Sequence, residues 1–137
     1  MHRSLLLLSA LALSAMAPHL AGAQPAKPAL YTADQATAGA AVYSQSCAAC
    51  HGTQLEGVAA PALKGEVFGQ MATAQSLTAQ ALLDVVANTM PQSDPGSLKP
   101  EEYSAVTAYI LQQNGYPAGS AALASGAPGL KDAKVTP

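Results

Sequence analysis

The sequence predicts an all-helical fold, with about three helices and one long loop. Three observations carry this. Apolar residues recur at helical spacing in three windows. No stretch alternates apolar and polar residues in the manner of a half-buried strand. Large aliphatic side chains are scarce: only 19 of the 114 residues after Ala23 are Leu, Ile, Val or Phe. A domain so short of core is either loosely folded or filled by something other than side chains.

The first helix is expected from Ala33 to Ala49. Thr32-Ala33-Asp34-Gln35 has the form of a capping box, with Gln35 reaching back to Thr32. Ala36, Gly39, Ala40, Tyr43 and Cys47 then recur on one face. Gly39 costs helix stability in mid-helix, so a close approach by another element is its expected reason. From Gly52 to Ser76 there is no sustained period, and five glycine or proline residues punctuate the stretch. A loop of that length implies a function such as wrapping a ligand.

A second helix is expected from Thr78 to Asn88, with Leu82, Val85 and Val86 as its buried stripe and Leu83 widening it. Pro91 disfavours helix at the residue before it. A third starts at Pro100, which suits the first helical position. Glu101 and Glu102 favour the positive end of its dipole, while Lys99 is a poor cap. Tyr103, Val106, Ile110 and Leu111 form its stripe, and Asn114-Gly115 is a stop signal.

Residues 1–23 read as a secretory signal peptide. Arg3 gives the positive start, Leu5 to Ala17 is apolar apart from serine, and Ala21-Gly22-Ala23 fits the small-x-small cleavage pattern. The apolar run is too short to span a bilayer, and no second long one follows. Residues 24–30 read as a flexible lead-in and residues 120–137 as a loose, Ala/Gly/Pro-rich tail. After Ala23, five Lys face eight Asp and Glu, a net charge of −3. That balance argues against a nucleic-acid binder, which shows a basic stripe.

The only two cysteines form Cys47-Ala48-Ala49-Cys50-His51. Cys-x-x-Cys-His is the signature for covalent attachment of haem c. Residues three apart share a helix face, so both thiols can reach the two vinyl groups on one porphyrin edge. His51 follows onto the same side, where it can coordinate the iron. A thioredoxin-type redox pair needs a βαβ setting, which is missing. A structural disulfide leaves His51 and the thin core unexplained. A zinc site needs further Cys or His ligands, and His51 is the only histidine after Ala23. A covalent haem also supplies the large apolar core that the composition lacks.

One histidine rules out a bis-histidine haem unless a partner donates a ligand; the chain's own candidates are two methionines, and if neither binds the iron is open. Met71 sits in an unpatterned stretch; Met90 lies at a helix exit fixed by Pro91 and is the preferred candidate. A thioether on iron favours the ferrous state and raises the potential.

With these residues in place, the chain resembles the class I c-type cytochromes of bacterial periplasms, small single-haem electron carriers. The resemblance covers Tyr31 to Gly119, the expected cytochrome domain (residues 31–119). It is carried by Cys47-Ala48-Ala49-Cys50-His51-Gly52, Ala60-Pro61-Ala62-Leu63, Thr89-Met90-Pro91 and Tyr109-Ile110-Leu111. It implies a cytochrome c fold in which the first helix crosses the last at Gly39, Tyr43 and Tyr109. It implies that the Pro61 carbonyl accepts the proton of the ligating imidazole, that Leu63 and Phe68 pack on the haem, and that Asn88 or Thr89 bonds a propionate or the Met sulfur. The implied function is electron transfer by iron cycling between ferric and ferrous, with no enzyme activity. A periplasmic dehydrogenase would donate electrons, and a terminal oxidase or another cytochrome would accept them. With few lysines, electrostatic steering toward an acidic partner gives way to a small apolar contact at the haem edge. Asn114-Gly115-Tyr116-Pro117-Ala118-Gly119 is similar to the cytochromes that accompany quinoprotein alcohol dehydrogenases. Two alternatives stand beside a free carrier: a subunit locked to such a dehydrogenase, and a haem peroxidase or gas sensor with a displaceable sixth ligand.

Overall fold

Five helices appear in a computed structural model that describes residues 26–136. The expected signal peptide and its cleavage site lie outside the described residues. The first helix, α1, is Ala33–Ser46 and begins at Thr32, whose side chain accepts the Gln35 N–H at 3.3 Å. It is shorter than the sequence suggests. Cys47 leaves helical geometry at φ −125°, and a separate turn, α2 (Ala48–His51), follows.

A further helix, α3 (Gly65–Ala74), occupies part of the stretch expected to be loop. It buries Phe68, Gly69 and Ala72. Next, α4 (Ala79–Thr89) starts on Thr78, which accepts the Ala81 N–H at 3.1 Å. Leu82, Leu83 and Val86 are buried as expected, but Val85 is 50% exposed. The last helix, α5 (Pro100–Gln113), buries the whole expected stripe of Tyr103, Val106, Ile110 and Leu111. Glu102 compensates for Lys99 at its start by accepting the Lys99 N–H at 2.8 Å.

The crossing of α1 and α5 is the central packing event. A Cβ on Gly39 would stand 1.9 Å from the Ala105 carbonyl oxygen, so only glycine lets the two backbones meet. Tyr43 and Tyr109 stack beside it with ring centroids 5.4 Å apart. A tilted aromatic pair at that distance adds about 1 kcal/mol beyond its buried area.

The described residues before α1 and after Gly119 are more ordered than the sequence suggests. Lys27, in the expected flexible lead-in, donates to the Asn114 and Thr136 carbonyls and lies over the Tyr116 ring. The segment after Gly119, expected to be loose, is packed. Leu123, Leu130 and Val135 are fully buried. Its carbonyls at Ala133 and Leu130 accept the N–H groups of Ala79 and Gln80. These are first-turn donors of α4 that have no partner within the helix. Two glutamines grip the same segment. Gln35 exchanges bonds with the Leu123 backbone in both directions, at 2.8 Å each, instead of reaching back to Thr32. Gln80 accepts from Gly126 N–H and donates to Ser125 Oγ. No helix among the described residues is long and apolar enough to cross a membrane.

Candidate haem site

A cavity of about 820 Å³ opens between α2, α3, α4 and α5. Apolar side chains dominate its wall, among them Leu63, Phe68, Leu82 and Ile110. Cys47, Cys50 and His51 stand on one side, and Met71 and Met90 also line it. The structure thus brings together the expected site residues from four separate stretches of chain. Pro61 does not line the cavity but acts on it through its carbonyl.

The histidine side is built from the α2 turn and the loop behind it. The kink at Cys47 lets the His51 and Gly52 N–H groups close on Cys47 and Ala48. Gly52 then takes φ +84°, a region that L side chains rarely adopt. A Cβ there would stand 2.3 Å from the Glu56 carboxylate. The chain doubles back so that Val58, Ala59 and Ala60 N–H groups all point at the Cys50 carbonyl, at 3.0–3.2 Å. Gly57 N–H donates to the His51 carbonyl at 2.8 Å. The Tyr43 hydroxyl reaches from α1 to donate to the Gly52 carbonyl at 2.6 Å.

His51 itself is 8% exposed, and its Nδ1 lies 2.8 Å from the Pro61 carbonyl oxygen. A carbonyl only accepts, so Nδ1 carries the proton. In the neutral ring this places the lone pair on Nε2, the nitrogen then available to a metal. Cys47 and Cys50, three residues apart, are not joined in a disulfide. Burial, and then the neighbouring Cys50, push the Cys47 thiol up from its ordinary value. Burial is likewise the main cause that pushes the Tyr43 hydroxyl up to about 12.

Met90, which also lines the cavity, ends α4, and Gln92 to Ser97 run as an exposed loop. Gln92, Ser93, Asp94 and Ser97 add a polar rim to the otherwise apolar cavity. The Tyr103 hydroxyl donates to the Met90 carbonyl at 2.9 Å and accepts the Gly96 N–H at 3.0 Å. Asn88 and Thr89, weighed as cofactor contacts, are exposed and bond back to the Asp84 and Val85 carbonyls of their own helix. Sequence reasoning placed Tyr103 in the core stripe but missed what its hydroxyl does.

A family model described as cytochrome c oxidase, cbb3-type, subunit III matches residues 34–110. The chain belongs to this family. It is a class I c-type cytochrome with an all-α fold, and its cofactor is covalently bound haem c with iron. No curated protein matches the chain significantly. The cavity suits such a group: it is large, apolar and flanked by two free thiols at haem-attachment spacing. Among the described residues no group of three or more His, Cys, Asp or Glu could hold a metal ion by itself. A porphyrin supplies the ligands that such a group would otherwise have to provide. The cytochrome's function is haem-based electron transfer.

Proposed function

We propose that this cytochrome is an exported electron carrier, with Cys47 and Cys50 as the thioether anchors and His51 and Met90 as the axial ligands of iron. The observation that carries the reading is the committed imidazole. With Nδ1 donating to Pro61, His51 has one nitrogen left for a metal, and it lines a cavity that Met90 also lines. Leu63 and Phe68 give that cavity apolar wall on which the macrocycle packs.

Haem c supplies a reversible one-electron couple at its iron. The chain's own residues hold that couple in place. Pro61 fixes the imidazole ring and raises its basicity as a ligand. Met90 offers a soft thioether that favours the reduced state and raises the potential. The apolar wall keeps water from a charge that changes by one unit. The Tyr43 and Tyr103 hydroxyls anchor the backbone on opposite sides of the cavity, so little has to move when an electron passes.

Export to a periplasm is supported by the signal-like features at Arg3, Leu5–Ala17 and Ala21–Ala23. The electron donor is then a periplasmic dehydrogenase, and the acceptor a terminal oxidase or a second cytochrome. Val58 and Val67 are 74% and 70% exposed, in keeping with a small apolar contact surface. A peroxidase needs a distal His or Arg beside an open iron position. The described residues offer neither.

Voltammetry of the holoprotein and of Met90→Ala tests the ligand assignment. The variant is expected to show a markedly lower potential and to bind carbon monoxide. A variant with unchanged potential and ligand binding would move the role to Met71 or to no residue.

A further inference from the structure

We propose that Tyr103 is a positioning residue for the sixth ligand: its hydroxyl latches the loop that presents Met90 and so controls how readily another ligand replaces that methionine. The inference rests on the reading of Met90 as an axial ligand.

The loop has little else to hold it. Gln92 to Ser97 are all exposed. Within it, Asp94 N–H bonds the Pro91 carbonyl at 2.9 Å and Ser97 N–H the Asp94 carbonyl at 3.3 Å. Both bonds shape the loop without tying it to the rest of the protein. The Tyr103 hydroxyl makes that tie. It donates to the Met90 carbonyl at the loop's start and accepts from Gly96 N–H near its end, with a longer 3.4 Å approach from Leu98 N–H. One oxygen therefore closes both ends of the loop. Its position is set elsewhere, because the ring is 5% exposed on the first turn of α5. That helix is locked against α1 at Gly39. Ring packing alone would be served as well by phenylalanine. The polar atom is used only on the loop.

Losing a donor and an acceptor bond together should free the loop by about tenfold or more. The test compares three ferric holoproteins: wild type, Tyr103→Phe and Tyr116→Phe. The last removes a hydroxyl that bonds the Lys134 carbonyl and the Thr136 N–H, away from the Met90 loop. It thus controls for general loosening. Imidazole is titrated against the long-wavelength Met–iron band, and amide hydrogen exchange is followed at Gly96 and Leu98.

Tyr103→Phe is expected to bind imidazole about tenfold more tightly and to exchange the Gly96 amide about tenfold faster. Tyr116→Phe should match wild type in both while melting at a lower temperature. An unchanged imidazole affinity in Tyr103→Phe, or an equal rise in Tyr116→Phe, would overturn the latch while leaving Met90 as ligand. A wild type with no Met–iron band would instead overturn the axial assignment beneath it. Wild type alone also tests the latch. Gly96 exchanging as fast as the exposed Ser93 would overturn it even if Tyr103→Phe failed to fold.

Discussion

The two walls of the haem cavity are built on different principles. Around His51 the chain folds back on itself, with several N–H groups converging on the carbonyls of Cys50 and His51. A side-chain hydroxyl from α1 and the His51–Pro61 bond add to this. No single bond there is decisive. Around Met90 the chain leaves α4 and passes through exposed residues, tied back chiefly by the Tyr103 hydroxyl. The first wall is over-determined and the second hangs on one side chain. On the proposed ligand assignment, this places rigidity at His51 and leaves Met90 as the adjustable part.

Inserting two glycines on each wall breaks the comparison most sharply. Between Gly57 and Val58 the insertion parts the N–H that bonds the His51 carbonyl from the three that meet on the Cys50 carbonyl. The expected result is a loss of about 2–4 kcal/mol, since these backbone bonds contribute about 1 kcal/mol each, and a displaced Pro61 that no longer holds His51. Between Ser93 and Asp94 the same insertion lengthens an exposed loop, at a cost of about 1 kcal/mol or less. Thermal melts of the two holoproteins check this. Equal losses would erase the distinction between the walls.

Substituting Gly52 by valine comes next. The side chain would be strained at φ +84° and would meet the Glu56 carboxylate. A loss of about 2–4 kcal/mol is expected, read by denaturant unfolding. Ending the chain at Ser120 touches neither wall directly but uncaps α4, which carries Met90. The buried Leu123, Leu130 and Val135 side chains put the gross loss on the order of 5 kcal/mol, read by the same method.

Tyr43→Phe should have the smallest effect, because the histidine wall keeps its other bonds. It should cost about 1 kcal/mol and leave the axial ligands unchanged. Its signature is in the pH dependence. The folded state holds the Tyr43 hydroxyl up to about 12, above its ordinary value of 10.0. Folding therefore favours the protonated form. That contribution is complete below pH 10 and lost as pH rises toward 12. Alkaline unfolding curves of wild type and Tyr43→Phe should converge across that window. Parallel curves would contradict the assignment.

The parts of the fold that are local in sequence were legible. The haem motif is a contiguous pattern, and the helix crossing announced itself through a glycine where a helix disfavours one. The α3 helix was hidden because its buried face is Phe68 with Gly69 and Ala72, two residues of little hydrophobic signal. Its Val67, the most apolar cue, points outward at 70% exposure. The packed tail was hidden for another reason. Its buried residues follow no period, and its partners Gln35 and Gln80 lie 88 and 46 residues away. Gln35 also satisfied a plausible local motif, which masked its distant role. In the site, the thiols, His51 and Met90 were named from the sequence pattern and Leu63 and Phe68 from the family resemblance, and all of them line one cavity. The tyrosine hydroxyls that hold its two walls leave no trace in a hydrophobic stripe, where Tyr and Phe read alike.

The central claim is that His51 and Met90 both hold the iron of a haem attached at Cys47 and Cys50. The visible absorption spectrum of the holoprotein, ferric and ferrous, with and without carbon monoxide, tests it most directly. The account predicts a low-spin spectrum with a weak long-wavelength Met–iron band and no response to carbon monoxide. A high-spin spectrum, or ready carbon monoxide binding by the wild type, would contradict it and point to an enzyme or gas sensor instead.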